Sequence, residues 1–465
     1  MSDFMNFVLS HLQQALLVAV FAAAVGIVVL FLAARRHKQN YGDAVPFPWL
    51  RAILVLLLIA YLAVVMLVTV RGRGYYTGSG NFHLFRAWRE AWNSFSERQW
   101  MNVLLNIAMF VPLGILLPLM KKRLQKWYWM LPAGFLTSLF IEAVQYLCHR
   151  GVFDVDDLFC NTLGAMLGFW VVMMAWSLRC KNWKKSLCHG LALTAVAASI
   201  GGIFVAYEAQ EFGNLSTSPA MRVNTKGIQW TVNCALDDEE QTVDLYRTDI
   251  RSREDCEAFG REFFRNIGVE EVDVTIYNDE VYFREQMGSR WLEVFYQGGH
   301  YRFTDREDWD ILKEGYDQAD EEQLRTALKE YGIEIPAEAE FSREGDAHHF
   351  RLNRYVEEAV MLDGTVTVLW EEGYGIRDID NDLLQLTNYG ETEIISPKAA
   401  VQRIMDGHIT SGEWLERKNP GQIGIDSCAL SYQVDTKGFY QPVYLIELKS
   451  SDTSYEVVET VPAMK

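Results

Sequence analysis

The chain has 465 residues, too many for one ordinary domain, and a formal net charge of −18. The halves differ: residues 1–207 hold 18 Lys+Arg against 8 Asp+Glu, whereas 208–465 hold 25 against 53. That acidic balance argues against nucleic acid and against direct adhesion to anionic lipid.

A membrane-spanning helix needs about 20 mostly apolar residues. Six segments qualify: 13–34, 51–70, 102–120, 128–147, 158–178 and 187–207. The first does not read as a secretory signal. Its N-terminus lacks basic residues and carries Asp3, its apolar run is long, and further spans follow.

Lys and Arg collect on the cytoplasmic side of a membrane. Arg35, Arg36 and Lys38 follow the first span, Lys121, Lys122, Arg123 and Lys126 the third, and Arg179, Lys181, Lys184 and Lys185 the fifth. All three clusters fall on one side if both termini lie outside. Arg71, Arg73 and Arg98, after span two, pull the other way. Three clusters against one predict a multi-pass protein with both termini extracellular. Trp127, Trp129 and Trp183 sit beside the inner clusters as interfacial aromatics.

Between spans two and three, Leu84, Trp88 and Trp92 recur at i, i+4, i+8, the pattern of an amphipathic interfacial helix. It serves equally as a cap on the bundle or as part of a substrate site.

The stretch 138–168 sets ionisable groups within or beside two spans, where a charge costs roughly 2.5–3.5 kcal/mol at a helix centre. Glu142 and Gln145 share a face near the outer end of span four, and Arg150 follows that span. Asp154, Asp156 and Asp157 lead into span five. Asp157 and Asn161 share a face there, continued by Gly164 and Gly168, small residues that let another helix approach closely. Span three adds Asn106, with Pro112 and Gly114 below it; Pro112 removes a backbone hydrogen bond and can kink that helix. Asn106, Glu142, Arg150, Asp157 and Asn161 are expected to converge just under the outer surface. Three readings stay open. The cluster is a pocket for a lipid head group or lipid-linked phosphate or sugar, with Arg150 binding an anion. It is catalytic, with Glu142 as general base and Asp154 and Asp157 holding a divalent cation. Or it pairs internally and fixes helix packing.

These residues carry a resemblance. NIAMFVPLG at 106–114, SLFIEAVQ at 138–145 and RGVFDVDDLFCNTLGAMLG at 150–168, in that order, resemble the VanZ-like membrane family over roughly 50–180. The resemblance implies a multi-span protein linked to glycopeptide (teicoplanin-type) resistance and the Gram-positive envelope. It marks Asn106, Pro112, Gly114, Glu142, Gln145, Arg150, Asp154, Asp157, Asn161 and Gly164 as signature positions and implies no catalytic assignment. The chain departs from the family in carrying a large domain after the helices.

Residues 208–226 are polar and read as a linker. Beyond them, strand-like and helix-like pieces alternate. Helices are expected at Ser252–Ile267, Glu321–Tyr331 (stopped by Gly332) and Ser396–Gly407, the last with Pro397 at its first position. Strands are expected at Ile228–Cys234, Thr242–Tyr246, Val272–Tyr277, Trp291–Tyr296, His300–Phe303, His348–Val356, Thr365–Glu371, Leu383–Thr387, Leu430–Val434, Val443–Leu448 and Tyr455–Thr460. Gly298-Gly299 marks a hairpin. The Ser396–Ile409 helix followed by strands resembles the YycH/YycI and PepSY-like extracellular modules.

No nucleophile elbow, P-loop, HExxH or GxGxxG opening a helix is present. His348-His349 alternates across a strand and reads as a structural pair. The seven cysteines lack metal spacing; a Cys234–Cys256 disulfide has no support beyond location, and Cys148 and Cys160 flank one loop.

The sequence therefore predicts an α-helical integral membrane bundle of about six spans followed by an acidic extracellular α+β domain. Its divisions are 1–50 (first span and cytoplasmic loop), 51–180 (VanZ-like), 181–207 (last span), 208–226 (linker) and 227–465, the last as two related units, 227–335 and 340–465. The expected role is a bacterial plasma-membrane protein binding a lipid or lipid-linked envelope precursor at the outer leaflet. The alternatives are an enzyme on a lipid-linked phosphate or ester using Glu142, Asp154 and Asp157, or a non-catalytic regulator contacting an envelope protein through its extracellular domain. Neither cofactor nor metal is expected.

Overall fold

The computed structural model describes residues 26–40, 45–71, 80–248, 250–277, 280–286, 288–306, 316–357, 360–410, 415, 421–450 and 456–465. They fall into two compact units, one ending at Glu211 and one running Phe212–Lys465.

In the first unit, five of the described helices are long and apolar enough to cross a membrane. Residues 26–40 are helical (α1), and most of the expected span 13–34 lies outside the described residues. Then come α2 (Trp49–Met66), α3 (Arg86–Ser94), α4 (Glu97–Met120), α5 (Trp127–Leu147), α6 (Val155–Arg179) and α7 (Trp183–Ala209). A π-helical turn, Leu67–Arg71, extends α2. The short helix α3 begins at Arg86, so Leu84 precedes it and is exposed, and the expected three-residue stripe reduces to Trp88 and Trp92. Both pack with Ala91, Trp100, Val103, Ile107 and Cys160 in a small core under α3.

The closest backbone approach is between α4 and α6. A Cβ added to Gly164 would run into the Ile107 carbonyl oxygen, one on Gly114 into that of Ala165, and one on Gly168 into that of Val111. In lipid, where apolar side chains gain little by leaving the solvent, such small-residue contacts hold helices together by van der Waals packing. Phe110, Leu113, Met130, Ala165 and Phe169 fill the space alongside. Helix α4 runs unbroken through Pro112 and Pro118. Pro112 offers no N–H to the carbonyl one turn back; the Tyr61 hydroxyl donates to the adjacent Met109 carbonyl at 2.9 Å.

Among the described residues the second unit has fourteen strands in one sheet, β1 (Gln229–Val232), β2 (Gln241–Thr248), β3 (Val272–Ile276), β4 (Glu280–Glu285), β5 (Arg290–Phe295), β6 (Tyr301–Asp305), β7 (Glu340–Glu344), β8 (Ala347–Glu357), β9 (Val360–Glu371), β10 (Gly375–Asn381), β11 (Leu384–Ile394), β12 (Gln422–Val434), β13 (Phe439–Ser450) and β14 (Glu456–Pro462). The order is β1-β12-β13-β2-β11-β9-β10-β6-β5-β4-β3, with β14 on β13 and β7 on β8, which pairs β9. Helices α8 (Arg253–Asn266), α9 (Glu321–Glu330) and α10 (Pro397–Met405) supply the apolar cover. Phe263, Phe264, Leu324 and Leu328 meet Phe283, Leu292, Phe303, Phe350, Val368 and Ile379 in one core. Ala400, Val401 and Ile404 meet Ile423, Ile425, Ile446, Leu448 and Val461 in another. Strands β7 to β10 therefore pack with the first core, and β1 pairs with β12 beside the second.

Local chemistry sets the helix starts. Ser252 and Asp255 form a capping box, Asp320 and Gln323 another, and Ser396 accepts from the Ala399 N–H ahead of Pro397. Gly298 and Gly299 both take positive φ, 72° and 68°, as the tight link between β5 and β6 requires. From Gly213 onward the stretch 208–226 is hydrogen-bonded to the sheet unit: Gly213 N–H donates to Asp435 at 2.6 Å, Thr217 to Gln433 at 2.6 Å, and Val223 N–H to the Gly407 carbonyl at 2.8 Å. Cys256 lies in the first core while Cys234 packs against the second, and Cys148 is exposed while Cys160 is buried; all seven cysteines are free.

Gly164→Ala should destabilise the purified full-length protein by about 1–3 kcal/mol, because the α4 backbone cannot yield to the added methyl. Gly201→Ala, with nothing within 4 Å of the added carbon, should leave the detergent unfolding midpoint unchanged. Equal midpoints for both variants would show that the α4–α6 contact is looser than drawn.

Candidate functional site

The polar residues gather where α5 ends and α6 begins. Ser138, Ile141, Glu142 and Gln145 form the buried face of α5, as their i, i+3, i+4, i+7 spacing dictates. Helix α6 runs antiparallel to α5, so Asn161 meets Ser138, donating from Nδ2 to Oγ at 2.9 Å. Glu142, one turn along α5, accepts the Asp154 backbone N–H at 3.3 Å. Gln145, nearly a further turn on, donates from Nε2 to the Thr69 carbonyl of the π-turn at 3.1 Å.

The start of α6 is built from carboxylates. Asp154 is its N-cap, accepting from the Asp156 N–H at 2.8 Å and from the Asn81 side-chain amide at 2.9 Å. Burial pushes the Asp154 carboxyl above its usual range; the Asp156 N–H and the Asn81 amide oppose the rise, and the neighbouring Asp156 charge adds to it. Asp157, on the next face, accepts from the Asn106 amide of α4. Acidic groups in a first turn also answer the positive end of the helix dipole.

Asp156 carries a role that helical spacing did not reveal. It is 1% exposed, and its carboxylate accepts the Phe85 N–H at 2.5 Å and the Ala87 N–H at 2.6 Å, capping α3 from across the bundle. Asn81 was likewise hidden: it bridges to Asp154 through backbone bonds to Phe153 and Val155. A loop residue without periodicity gives no sequence signal for such a contact. Ser138 was findable, since it lies four residues before Glu142 on the same face.

The expected residues thus separate into groups. Asn106 joins Asp157, Glu142 joins Asp154, Asn161 joins Ser138 between α6 and α5, and Gln145 joins the Thr69 carbonyl of the π-turn after α2. Gly114 and Gly164 belong to the helix crossing, and Pro112 is exposed on α4. Arg150 is exposed in the α5–α6 loop, its backbone N–H closing the turn onto the Gln145 carbonyl at 2.9 Å. Asp154 and Asp157 turn to different partners, and among the described residues no three His, Cys, Asp or Glu side chains are grouped to hold a metal ion.

Two polar atoms in this seam are buried without a partner: Gln145 Oε1 and Asn161 Oδ1, on side chains 1% and 2% exposed. Leaving such an acceptor unmade costs about 1–3 kcal/mol.

Helices of this length around a buried polar seam define an integral membrane domain. Residues 52–176 match the family model described as VanZ/LLP1, and this segment is a VanZ-family membrane domain. The solved Bacillus megaterium YpeB C-terminal domain is similar to part of the chain at 12% identity, over 47% of this chain and 99% of that one, with a TM-score of 0.19. Comparison with curated proteins gives no match.

Asp156→Ala should strip two capped N–H groups from α3 and cost about 1–2 kcal/mol. Amide hydrogen exchange across residues 86–94 should rise while exchange in α5 stays low. Unchanged protection of α3 would show that Asp156 does not hold it.

Proposed function

We propose that the VanZ-family unit binds a lipid or a lipid-linked envelope precursor in a bacterial plasma membrane, with the ligand's polar end in the α5–α6 seam. The observation that carries this reading is the pair of buried, unpartnered amide oxygens of Gln145 and Asn161 flanking Glu142. A seam that only fixed packing would close its own hydrogen bonds, since each open acceptor in an apolar bundle is expensive. Arg150, exposed in the loop that follows α5, supplies a guanidinium for a phosphate near the membrane surface. In this reading both termini face outward, following the Lys and Arg clusters, and the acidic sheet unit lies in the envelope. Altered presentation of a precursor there would bear on teicoplanin tolerance.

The seam favours binding over chemistry. Asp154, Asp156 and Asp157 each accept from backbone or amide N–H groups that order α3, α4 and α6. Their geometry serves the helix starts.

Lipids copurified with the full-length protein, identified by mass spectrometry, test the reading. One lipid class should be enriched severalfold over its membrane abundance, and Glu142→Ala and Arg150→Ala should each lose most of that enrichment while the protein still accumulates in the membrane. A lipid profile equal to the bulk membrane in the wild type would overturn it.

A further inference from the structure

The sheet unit carries a second candidate site, independent of the seam. A cleft of about 590 Å³ opens beside α8 and the β5–β6 connection. Small-molecule pockets run to roughly 300–1,000 Å³. Helix α8 lines it with Asp255, Ala258, Phe259 and Glu262, which share a face at i, i+3, i+4 and i+7, and Ile250 and Arg251 line it from the preceding segment. The Arg251 backbone N–H donates to the Tyr296 carbonyl at 2.8 Å, which pins that segment beside the end of β5. The guanidinium carbon lies 5.4 Å from the Phe259 ring centroid and 2.6 Å from where a Cβ on Gly299 would stand. Packing therefore positions the group, in space that the glycine leaves for it. Among the described residues the side chain has neither an ion pair nor a hydrogen bond, although a guanidinium carries about five N–H donors. Arg253, Arg290, Arg302, Arg325 and Arg377 of the same unit each pair with a carboxylate. Glu262 likewise has neither kind of partner among the described residues, whereas Asp255 accepts from the Ser252 N–H and hydroxyl.

We propose that this cleft binds a short zwitterionic peptide, with its C-terminal carboxylate on Arg251 and its terminal ammonium on Glu262. A planar guanidinium held by packing offers a carboxylate two parallel N–H bonds. Phe259, Ala258 and Ile250 supply apolar surface for the peptide's side chains. From Asp255 to Glu262 the helix rises roughly 10 Å. That is about the length of three extended residues. Charge decides against a simple anion. Residues 208–465 hold 53 Asp+Glu against 25 Lys+Arg. A phosphate dianion would approach against that field and meet two carboxylates inside the cleft, whereas a zwitterion has no net charge and brings Glu262 a cation.

Equilibrium dialysis of the full-length protein in detergent, with a radiolabelled alanine tripeptide as probe, tests the assignment. The free tripeptide should bind with a Kd below about 1 mM. Amidating its C-terminus should weaken binding roughly tenfold or more, and Arg251→Gln should do the same. Acetylating its N-terminus should weaken binding severalfold in the wild type and change nothing in Glu262→Gln. Because the free, amidated and acetylated peptides are compared on the wild type, a misfolded variant does not shield the proposal. Equal affinity of the acid and the amide overturns the role of Arg251, and equal affinity of the free and acetylated peptides overturns that of Glu262. Inorganic phosphate in millimolar excess should leave the peptide bound; displacement shows a general anion site and overturns the peptide assignment. Failure of the free tripeptide to bind overturns the proposal outright, and leaves the lipid reading of the seam untouched.

Discussion

The backbone contact between α4 and α6 is the constraint on which the helical unit depends. Lipid tails are as apolar as the side chains they surround, so burial alone gives these helices little reason to associate. Gly114, Gly164 and Gly168 remove the side chains that would keep the two backbones apart, and the carbonyls of Ile107, Val111 and Ala165 occupy the space gained. With α4 and α6 locked in parallel, α5 must return antiparallel beside them, and its polar face meets the start of α6. The Asn106–Asp157 bond joins α4 to α6 just before the glycine contact begins.

The carboxylates at that end divide their work by helix face. Asp154 caps α6 itself, Asp157 reaches α4, and Asp156 reaches α3, so three near-adjacent residues fix three elements around one helix end. Glu142 closes the arrangement from α5 by taking the Asp154 N–H. This accounts for most of the charge that made the segment costly. What it leaves open are two amide oxygens, one on either side of Glu142 along α5, and the proposed binding rests on those atoms.

The sheet unit follows a different logic. Its helix starts obey local rules, and Ser252, Asp320 and Ser396 each cap the helix they precede. Strands with strong alternation, such as Val272–Ile276 and Arg290–Phe295, agree with the pattern reading to within a residue or two. Three strands were missed: Glu280–Glu285, Glu340–Glu344 and Gly375–Asn381. Each carries charged residues, and the last holds Arg377, Asp378 and Asp380 buried or half-buried, the two aspartates being residues disfavoured in strands when read alone. Pairing supplies what propensity lacks: Asp378 accepts from Thr304 and Asp380 pairs with Arg302 across the β6–β10 register. His348 and His349 do turn to opposite faces, His348 accepting the Ala319 N–H while His349 meets Thr367, and burial holds the His348 ring below its usual pKa.

The sequence by itself determined the five spans found among the described residues, the order of the signature residues and the change from apolar bundle to acidic mixed domain, because hydrophobic period and charge are written locally. It placed Glu142 with Gln145 and Asp157 with Asn161, since one helix fixes those offsets. Which partner each side chain takes was decided only by the fold. Asp156 to α3, Asn81 to Asp154 and Gln145 to Thr69 join residues some 70 positions apart. Such contacts depend on how closely helices approach, a distance that no periodicity encodes.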